Sequence, residues 1–180
     1  MAIDGVKLID LCAHEDDRGS LTEVYREQWF GERAVQWNYV RSGAGVLRGM
    51  HGHFRHQDYV LLLTGSMAVG LKDIRPGSLT LGQAMLVELR SDRPQTLSIP
   101  AGVAHGFYFS EPSTMVYAVT HYWDHDDELG CRWDDPALGI EWPCTSARIS
   151  PRDEALPSFP VFAAQLQERL AGKLTMAAEA

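Results

Sequence analysis

The stretch Gly45-Val46-Leu47-Arg48-Gly49-Met50-His51-Gly52-His53, running on to Asp58 and Gly65, decides how this chain is read. It sets an arginine and two histidines at i, i+3 and i+5 among glycines, just ahead of the strand-like run Tyr59-Val60-Leu61-Leu62-Leu63. Residues two apart in a strand point to one face, so His51 and His53 are expected to project into a common cavity. A distant second piece, Pro100-Ala101-Gly102-Val103-Ala104-His105, is a tight turn that launches a third histidine into another strand. Three histidines on the inner face of a β-barrel are either metal ligands or acid–base groups.

Outward from that stretch, residues 41–123 read as short strands broken by glycine and proline, at roughly 46–53, 58–64, 66–73, 84–89, 96–99, 104–109 and 114–123. Turn signals lie between them, among them Ser42-Gly43-Ala44-Gly45, Arg75-Pro76-Gly77-Ser78 and Glu111-Pro112-Ser113. Strands at this spacing without helical periods predict an all-β antiparallel barrel of jelly-roll type. Upstream, residues 6–12 and 21–25 read as strands around a loop, His14 to Ser20, whose Asp17-Arg18-Gly19 is turn chemistry. Glu27 to Arg33 reads as one helical turn. Val35 to Val40 alternates, with Gln36 and Asn38 on one face. Downstream, Asp124 to Trp142 reads as an acidic, loop-like extension, and the run Asp124 to Glu128 as a solvated loop. Residues 158–171 carry apolar residues at helical spacing (Phe159, Phe162, Ala163, Leu166, Leu170), which predicts a short C-terminal helix lying on the barrel. Leu174 to Ala180 is expected to fray. The chain thus divides into N-terminal strands 1–40, a barrel 41–123, and an extension with helix 124–172, all in a single domain of 1–180.

At 180 residues the chain suits one domain with a sizeable core. Its net charge of −8, with no basic block, argues against a nucleic-acid partner. A few arginines in a pocket can still hold a phosphate inside an acidic protein. The three cysteines form no C-x-x-C pair, as in a cytoplasmic protein with reduced thiols. No apolar run approaches the ~18 residues of a membrane span, and the N-terminus lacks a signal-peptide layout.

The spacing Gly45-x5-His51-x-His53-x4-Asp58-x6-Gly65, followed by Pro100-x-Gly102-x2-His105, resembles the two short motifs of the cupin superfamily. In metal-binding cupins the corresponding residues hold one ion. The implied ligands here are His51, His53, Asp58 and His105, a set suited to Fe, Mn, Ni or Zn. A longer resemblance covers nearly the whole chain. Asp17-Arg18-Gly19 with Glu23, Gln36-x-Asn38, Gly45 to His51, Ile99 to Phe107, Tyr117, Trp133 to Pro143, and Ile149-Ser150-x-x-Asp153 resemble the dTDP-4-dehydrorhamnose 3,5-epimerase family in order and spacing. These enzymes are metal-free cupins, so the resemblance implies no metal and no cofactor.

The same resemblance implies that His51 is the general base, oriented by Asp153, and that Tyr117 is the acid on the opposite face of the sugar. Arg48 and Arg18 match groups that contact the diphosphate, Gln36 and Glu23 groups around the nucleotide, and His105 a histidine near the sugar. Trp123 stands at the family's substrate-end tyrosine. A nucleotide diphosphate sugar is the implied substrate. The implied assembly is a homodimer whose N-terminal residues reach the neighbouring site.

Two departures bear on the chemistry. The family's lysine near the enolate oxygen aligns with Asp58, and its usual glutamine with His53. Replacing a cation by a carboxylate there is unfavourable, so His53, Arg55 or His56 takes over the charge, or the reaction differs. Lys72 is expected to face solvent. Arg48 to His53, with Gln57 and Leu63 to Ser66, also resembles the sugar 3,4-ketoisomerase branch of the superfamily. The expected reaction is inversion of C3, C5 or both in a nucleotide-linked 4-keto-6-deoxy sugar. The alternatives are that ketoisomerase, with His51 and His53 as a proton shuttle, a metal-dependent cupin enzyme, and a sugar-nucleotide binder without catalysis. His14, His56, His121 and His125 are given no role, and Trp133 and Trp142 are expected to pin the extension to the barrel.

Overall fold

The structure, a computed structural model, describes residues 2–178. Its strands are β1 (Lys7–Asp10), β2 (Ala13–Asp16), β3 (Gly19–Thr22), β4 (Gln36–Ser42), β5 (Val46–Gly52), β6 (Asp58–Thr64), β7 (Ser66–Asp73), β8 (Ala84–Arg90), β9 (Gln95–Ile99), β10 (Val103–Phe109), β11 (Ser113–Val119) and β12 (Leu129–Gly130). The α-helices are α1 (Glu27–Phe30), α2 (Pro151–Glu154) and α3 (Phe159–Ala178). Two five-stranded sheets face each other, in the orders β1-β9-β6-β11-β4 and β12-β5-β10-β7-β8. Every pairing between strands is antiparallel. From β4 onward the chain passes between the two sheets at nearly every turn, which is the jelly-roll connection expected from the sequence. β1 and β4 belong to the first sheet, so its strands begin before residue 41.

Both inner faces supply the core, with Val60, Leu62, Leu97, Ile99 and Met115 from one sheet against Met67, Val69, Leu71, Phe107 and Phe109 from the other. On the outer side of the second sheet, Met50, Ala104, Cys131 and Leu138 pack under Phe162 and Leu166 of α3. The apolar spacing expected for the C-terminal helix is therefore the face that docks. Gly52 makes the close approach possible, because a Cβ there would lie 2.7 Å from the Phe162 ring. Gly70 does the same for Trp142, whose indole also donates to the Trp133 carbonyl at 3.0 Å. These two tryptophans pin the extension as expected.

One irregularity shapes the cavity. His51 on β5 pairs with His105 on β10, yet Arg48 pairs with Phe107, so three steps on β5 match two on β10. The extra residue is a bulge at Gly49-Met50. It lets Arg48 and His51, an odd number of residues apart, line the same cavity. Gly49 has φ +122°, and a Cβ on it would lie 2.6 Å from the Gly106 Cα, so glycine is required there on both counts.

Three expectations are corrected. The loop His14 to Ser20 is largely the hairpin β2–β3, with Asp17-Arg18 as its turn. The strand at 114–123 stops at Val119. Lys72 is buried rather than solvent-facing; its Nζ donates to the Gly82 carbonyl at 2.8 Å and lies 5.5 Å from the centre of the Phe159 ring at the start of α3. Burial pushes its ammonium pKa down. The C-terminal helix is α3, Phe159–Ala178, and Glu179 and Ala180, part of the stretch expected to fray, lie outside the described residues.

Phe162 is 0 % exposed and closes the contact between α3 and the barrel, whereas Val161 is 48 % exposed on the same helix. Phe162→Ala should cost about 3–5 kcal/mol in urea unfolding, and Val161→Ala no more than about 0.5 kcal/mol.

Candidate active site

A cavity of about 490 Å³ opens between the two sheets. Its polar lining includes Arg48 and His51 of β5, His105 of β10, Gln36 and Asn38 of β4, Asp58 of β6 and Tyr117 of β11. His53, His56, Trp123 and Glu128 join from loops, and Arg148, Ser150, Arg152 and Asp153 from the segment around α2. Phe107, Met115 and Val119 make part of the wall apolar. His51 and Tyr117 stand on different sheets, which places an imidazole and a phenol on facing walls of one cavity.

The His51 Nε2 lies 2.8 Å from the Asp153 Oδ1. A carboxylate can only accept, so Nε2 carries the hydrogen and donates it, and the lone pair of the neutral ring is left on Nδ1. Asp153 is itself fixed by the start of α2. Ser150 caps that helix by accepting from the Asp153 amide at 3.1 Å, and Pro151 occupies its first position. Burial alone would raise the Asp153 carboxyl. The His51 hydrogen bond and charge, with the Gly49 amide and Ser150, outweigh it and hold the group below the ordinary carboxylate range.

Deeper in the cavity, three buried imidazoles surround the buried Asp58 carboxylate. Their Nε2 atoms stand 4.0 Å (His53), 3.7 Å (His56) and 3.8 Å (His105) from its Oδ2. Each Nδ1 is engaged elsewhere: His53 with the Asp127 carbonyl at 3.0 Å, His56 with the Asp127 carboxylate at 2.9 Å, His105 with the Val103 carbonyl at 3.1 Å. Burial pushes His105 down to about 4, against the pull of Asp58. His56 goes the other way: burial opposes the charge, but the Asp127 hydrogen bond and the surrounding carboxylates of Asp58, Asp127 and Glu128 raise its pKa.

Burial, and then the negative charges of Asp58 and Glu128, raise the Tyr117 phenol above its usual value, with Arg48 opposing. The phenol therefore keeps its proton at neutral pH. Gln36 donates to the Asn38 Oδ1 at 3.1 Å and accepts from the Trp123 amide at 2.9 Å, which sets Trp123 at the rim. The buried Asn38 Nδ2 has no hydrogen-bond partner among the described residues. Arg48 is held by Ser42 at 3.1 Å. With Arg148 and Arg152 it makes a group of three arginines exposed around the cavity.

Of the residues expected at the site, His51, Tyr117, Asp153, Gln36, Arg48, His53, Asp58, His105 and Trp123 line this cavity. Arg18 and Glu23 do not. Arg18 sits in the β2–β3 turn with its side chain 84 % exposed against Asp16, and Glu23 pairs with Arg26 on the surface. The four-residue metal set is not assembled as expected either, since His51 is engaged by Asp153 while His53, Asp58 and His105 draw together. The run Asp124 to Glu128 is solvated only in part: His125 and Asp126 are exposed, but the residues after them turn inward. Asp127 is buried and accepts from the Phe54 and Arg55 amides at 2.7 and 3.1 Å, and Glu128 reaches the cavity beside Arg152 at 2.7 Å. Asn38, Glu128, Arg148 and Arg152 are cavity residues for which sequence reasoning had no role, and His56 entered it only as one stand-in for the family's lysine. Asn38, Arg148 and Arg152 lie within or beside quoted segments, which was the available signal.

Because the Asp153 pKa is lower in the folded chain than in the unfolded one, its ionised form stabilises the fold fully above about pH 4, the ordinary carboxylate value. That contribution is lost as pH falls through the depressed folded value. His51→Asn should flatten this part of the acid dependence, read as the urea midpoint between pH 5 and pH 3. An unchanged slope would place the depression of the Asp153 pKa elsewhere.

Residues 1–160 match the family model described as dTDP-4-dehydrorhamnose 3,5-epimerase. A dTDP-4-dehydrorhamnose 3,5-epimerase of Sinorhizobium fredii is 34% identical over 169 residues, 88% of this chain and 87% of that one. Among solved structures, the dTDP-6-deoxy-D-glucose-3,5-epimerase of Legionella pneumophila, in complex with dTDP-4-keto-L-rhamnose, superposes with TM-score 0.84 at 34% identity, covering 92% of this chain and 94% of that one. An epimerase of Mycobacterium tuberculosis superposes with TM-score 0.85 at 30% identity over 96% of each chain. On the strength of a facing imidazole and phenol in a jelly-roll cavity, and of these matches along nearly its whole length, the chain belongs to the dTDP-4-dehydrorhamnose 3,5-epimerase family.

Proposed function

We propose that the chain epimerises a nucleoside-diphosphate-linked 4-keto-6-deoxy sugar, inverting C3, C5 or both. The observation that carries this reading is the His51–Asp153 hydrogen bond on one wall of the cavity with a protonated phenol, Tyr117, on the facing wall. A proton on carbon next to a ketone is weakly acidic, and its removal leaves an enolate. Inversion then requires a proton from the opposite face, so the base and the acid must not share a wall.

In the proposed reaction the His51 Nδ1 takes the proton. Asp153 holds the ring in the tautomer that leaves this nitrogen free, and balances the imidazolium that forms. Tyr117 then protonates the other face of the carbon. The Asn38 Nδ2, buried at the wall and without a hydrogen-bond partner among the described residues, would donate to a sugar or nucleotide oxygen. Arg48, with Arg148 beside it, supplies planar donors suited to a diphosphate. His105 and Trp123 would border the sugar.

We further propose a homodimer in the cytoplasm. β4 is the open edge of its sheet, and its outward residues Trp37 and Tyr39 are 46 % and 65 % exposed. Covering that edge with a second copy would bury them, and the hairpin carrying Arg18, together with Glu23, would then serve the neighbour's cavity. Their pairs with Asp16 and Arg26 are on the surface and are easily exchanged for a ligand. All three cysteines are free, as suits a reducing compartment. No helix among the described residues is long and apolar enough to cross a membrane.

Incubating the protein with a 4-keto-6-deoxy sugar nucleotide in D2O tests the reading. Deuterium should enter at C3, C5 or both with inverted configuration, and a carbonyl moved from C4 to C3 would identify a ketoisomerase instead. His51→Asn should lower exchange at least ~10²-fold. Tyr117→Phe should slow inversion more than exchange, because abstraction does not need the phenol. Equal losses in both would contradict the role given to Tyr117.

A further inference from the structure

We infer that the floor of the cavity is a binding site for one divalent transition-metal ion, held by the His53 Nε2, the His105 Nε2 and the Asp58 Oδ2, with His56 beside them. The three ligand atoms lie within 4.8 Å of one another, and their residues are all buried.

The positions of the ring hydrogens decide what this point can hold. A backbone carbonyl and a carboxylate can only accept, so the contacts to Asp127 and Val103 put a hydrogen on Nδ1 of His53, His56 and His105. In the neutral rings of His53 and His105 this leaves Nε2 as a lone pair, and both face one Asp58 carboxylate oxygen. Three acceptors on buried residues thus converge on one point. At 3.7–4.0 Å none of the three nitrogens is within hydrogen-bond distance of that oxygen, and the Asp58 side chain accepts no hydrogen bond among the described residues. Such a group is compensated by a cation.

The spacing fits one. Two ligand atoms about 2.1 Å from a common tetrahedral ion lie roughly 3.4 Å apart, so the His53 and His105 nitrogens, at 4.0 and 3.8 Å from the Asp58 oxygen, would each close on it by about half an ångström. Anchoring the far ring nitrogen on a carbonyl or carboxylate is also the usual outer-shell support of a metal-bound histidine. Imidazole and carboxylate donors select Zn, Fe, Mn, Co or Ni over Mg or Ca. His51 is not part of the set, because its Nε2 is committed to Asp153. This departs from the metal-free expectation drawn from the sequence. On the epimerase reading, and resting on it, the ion would also supply the positive charge that an enolate requires beside Asp58.

Untagged protein, stripped with chelator and dialysed, should take up one equivalent of Zn²⁺ by calorimetry. With Co²⁺ it should show the visible absorption of a nitrogen- and oxygen-ligated ion. Asp58→Asn and His105→Gln, checked for folding by circular dichroism, should weaken uptake by at least about 100-fold. His51→Asn should still bind one equivalent. Failure of wild-type protein to bind either ion stoichiometrically overturns the inference, as does undiminished binding by folded Asp58→Asn. Loss of binding in His51→Asn overturns the ligand set. Deuterium exchange by the stripped enzyme is read separately, so an active enzyme that binds no ion refutes the site alone, and an ion-binding protein without exchange refutes the epimerase reading alone.

Discussion

A single hydrogen bond between the His51 imidazole and the Asp153 carboxylate decides what the rest of the cavity can do. The two residues are 102 positions apart, and most of the unusual local structure serves to bring them together. The bulge at Gly49-Met50 turns His51 into the cavity alongside Arg48. The Ser150 cap and the proline at the first turn set Asp153 on a rigid four-residue helix. Without the carboxylate the imidazole could carry its hydrogen on either nitrogen. With it, one nitrogen is committed and the other keeps its lone pair in the neutral ring.

The second constraint is that acidic groups inside an apolar barrel must each find a partner. Asp127 meets it with the Phe54 and Arg55 amides and with His56. Asp73 meets it with Arg75, Ser78 and Thr80, which hold its carboxyl well below the usual range although burial pushes the other way. Asp58 stands 3.7–4.0 Å from three imidazole Nε2 atoms, and its side chain accepts no hydrogen bond among the described residues. Its place in the cavity is therefore the point at which this chain departs most from the chemistry its family resemblance implies.

Much of the fold was legible because glycine and proline punctuate strands of regular length, and because two histidine motifs with fixed spacing leave few arrangements for the strands that carry them. The helix at Phe159 was legible for the same kind of reason, its apolar residues recurring at helical spacing. What failed was information that lies across the sheets. Nothing near Asp127 shows that it caps amides more than 70 residues away, so an acidic run read as a solvated loop. Lys72 looked like an exposed strand end until α3 laid Phe159 over it. His56 follows the end of β5, where strand alternation no longer predicts direction. Arg18 and Glu23 carry the family pattern but lie outside the cavity of their own chain, paired on the surface with Asp16 and Arg26.

Histidine-selective ¹⁵N NMR of the chelator-stripped protein at neutral pH measures the His51 tautomer directly, with His51→Asn used to assign its signals. The account predicts a protonated Nε2 with a one-bond coupling to its hydrogen, and an unprotonated Nδ1 whose shift moves when a sugar nucleotide binds. A protonated Nδ1 facing an unprotonated Nε2 would contradict it, because the nitrogen assigned to the base would then already hold its proton.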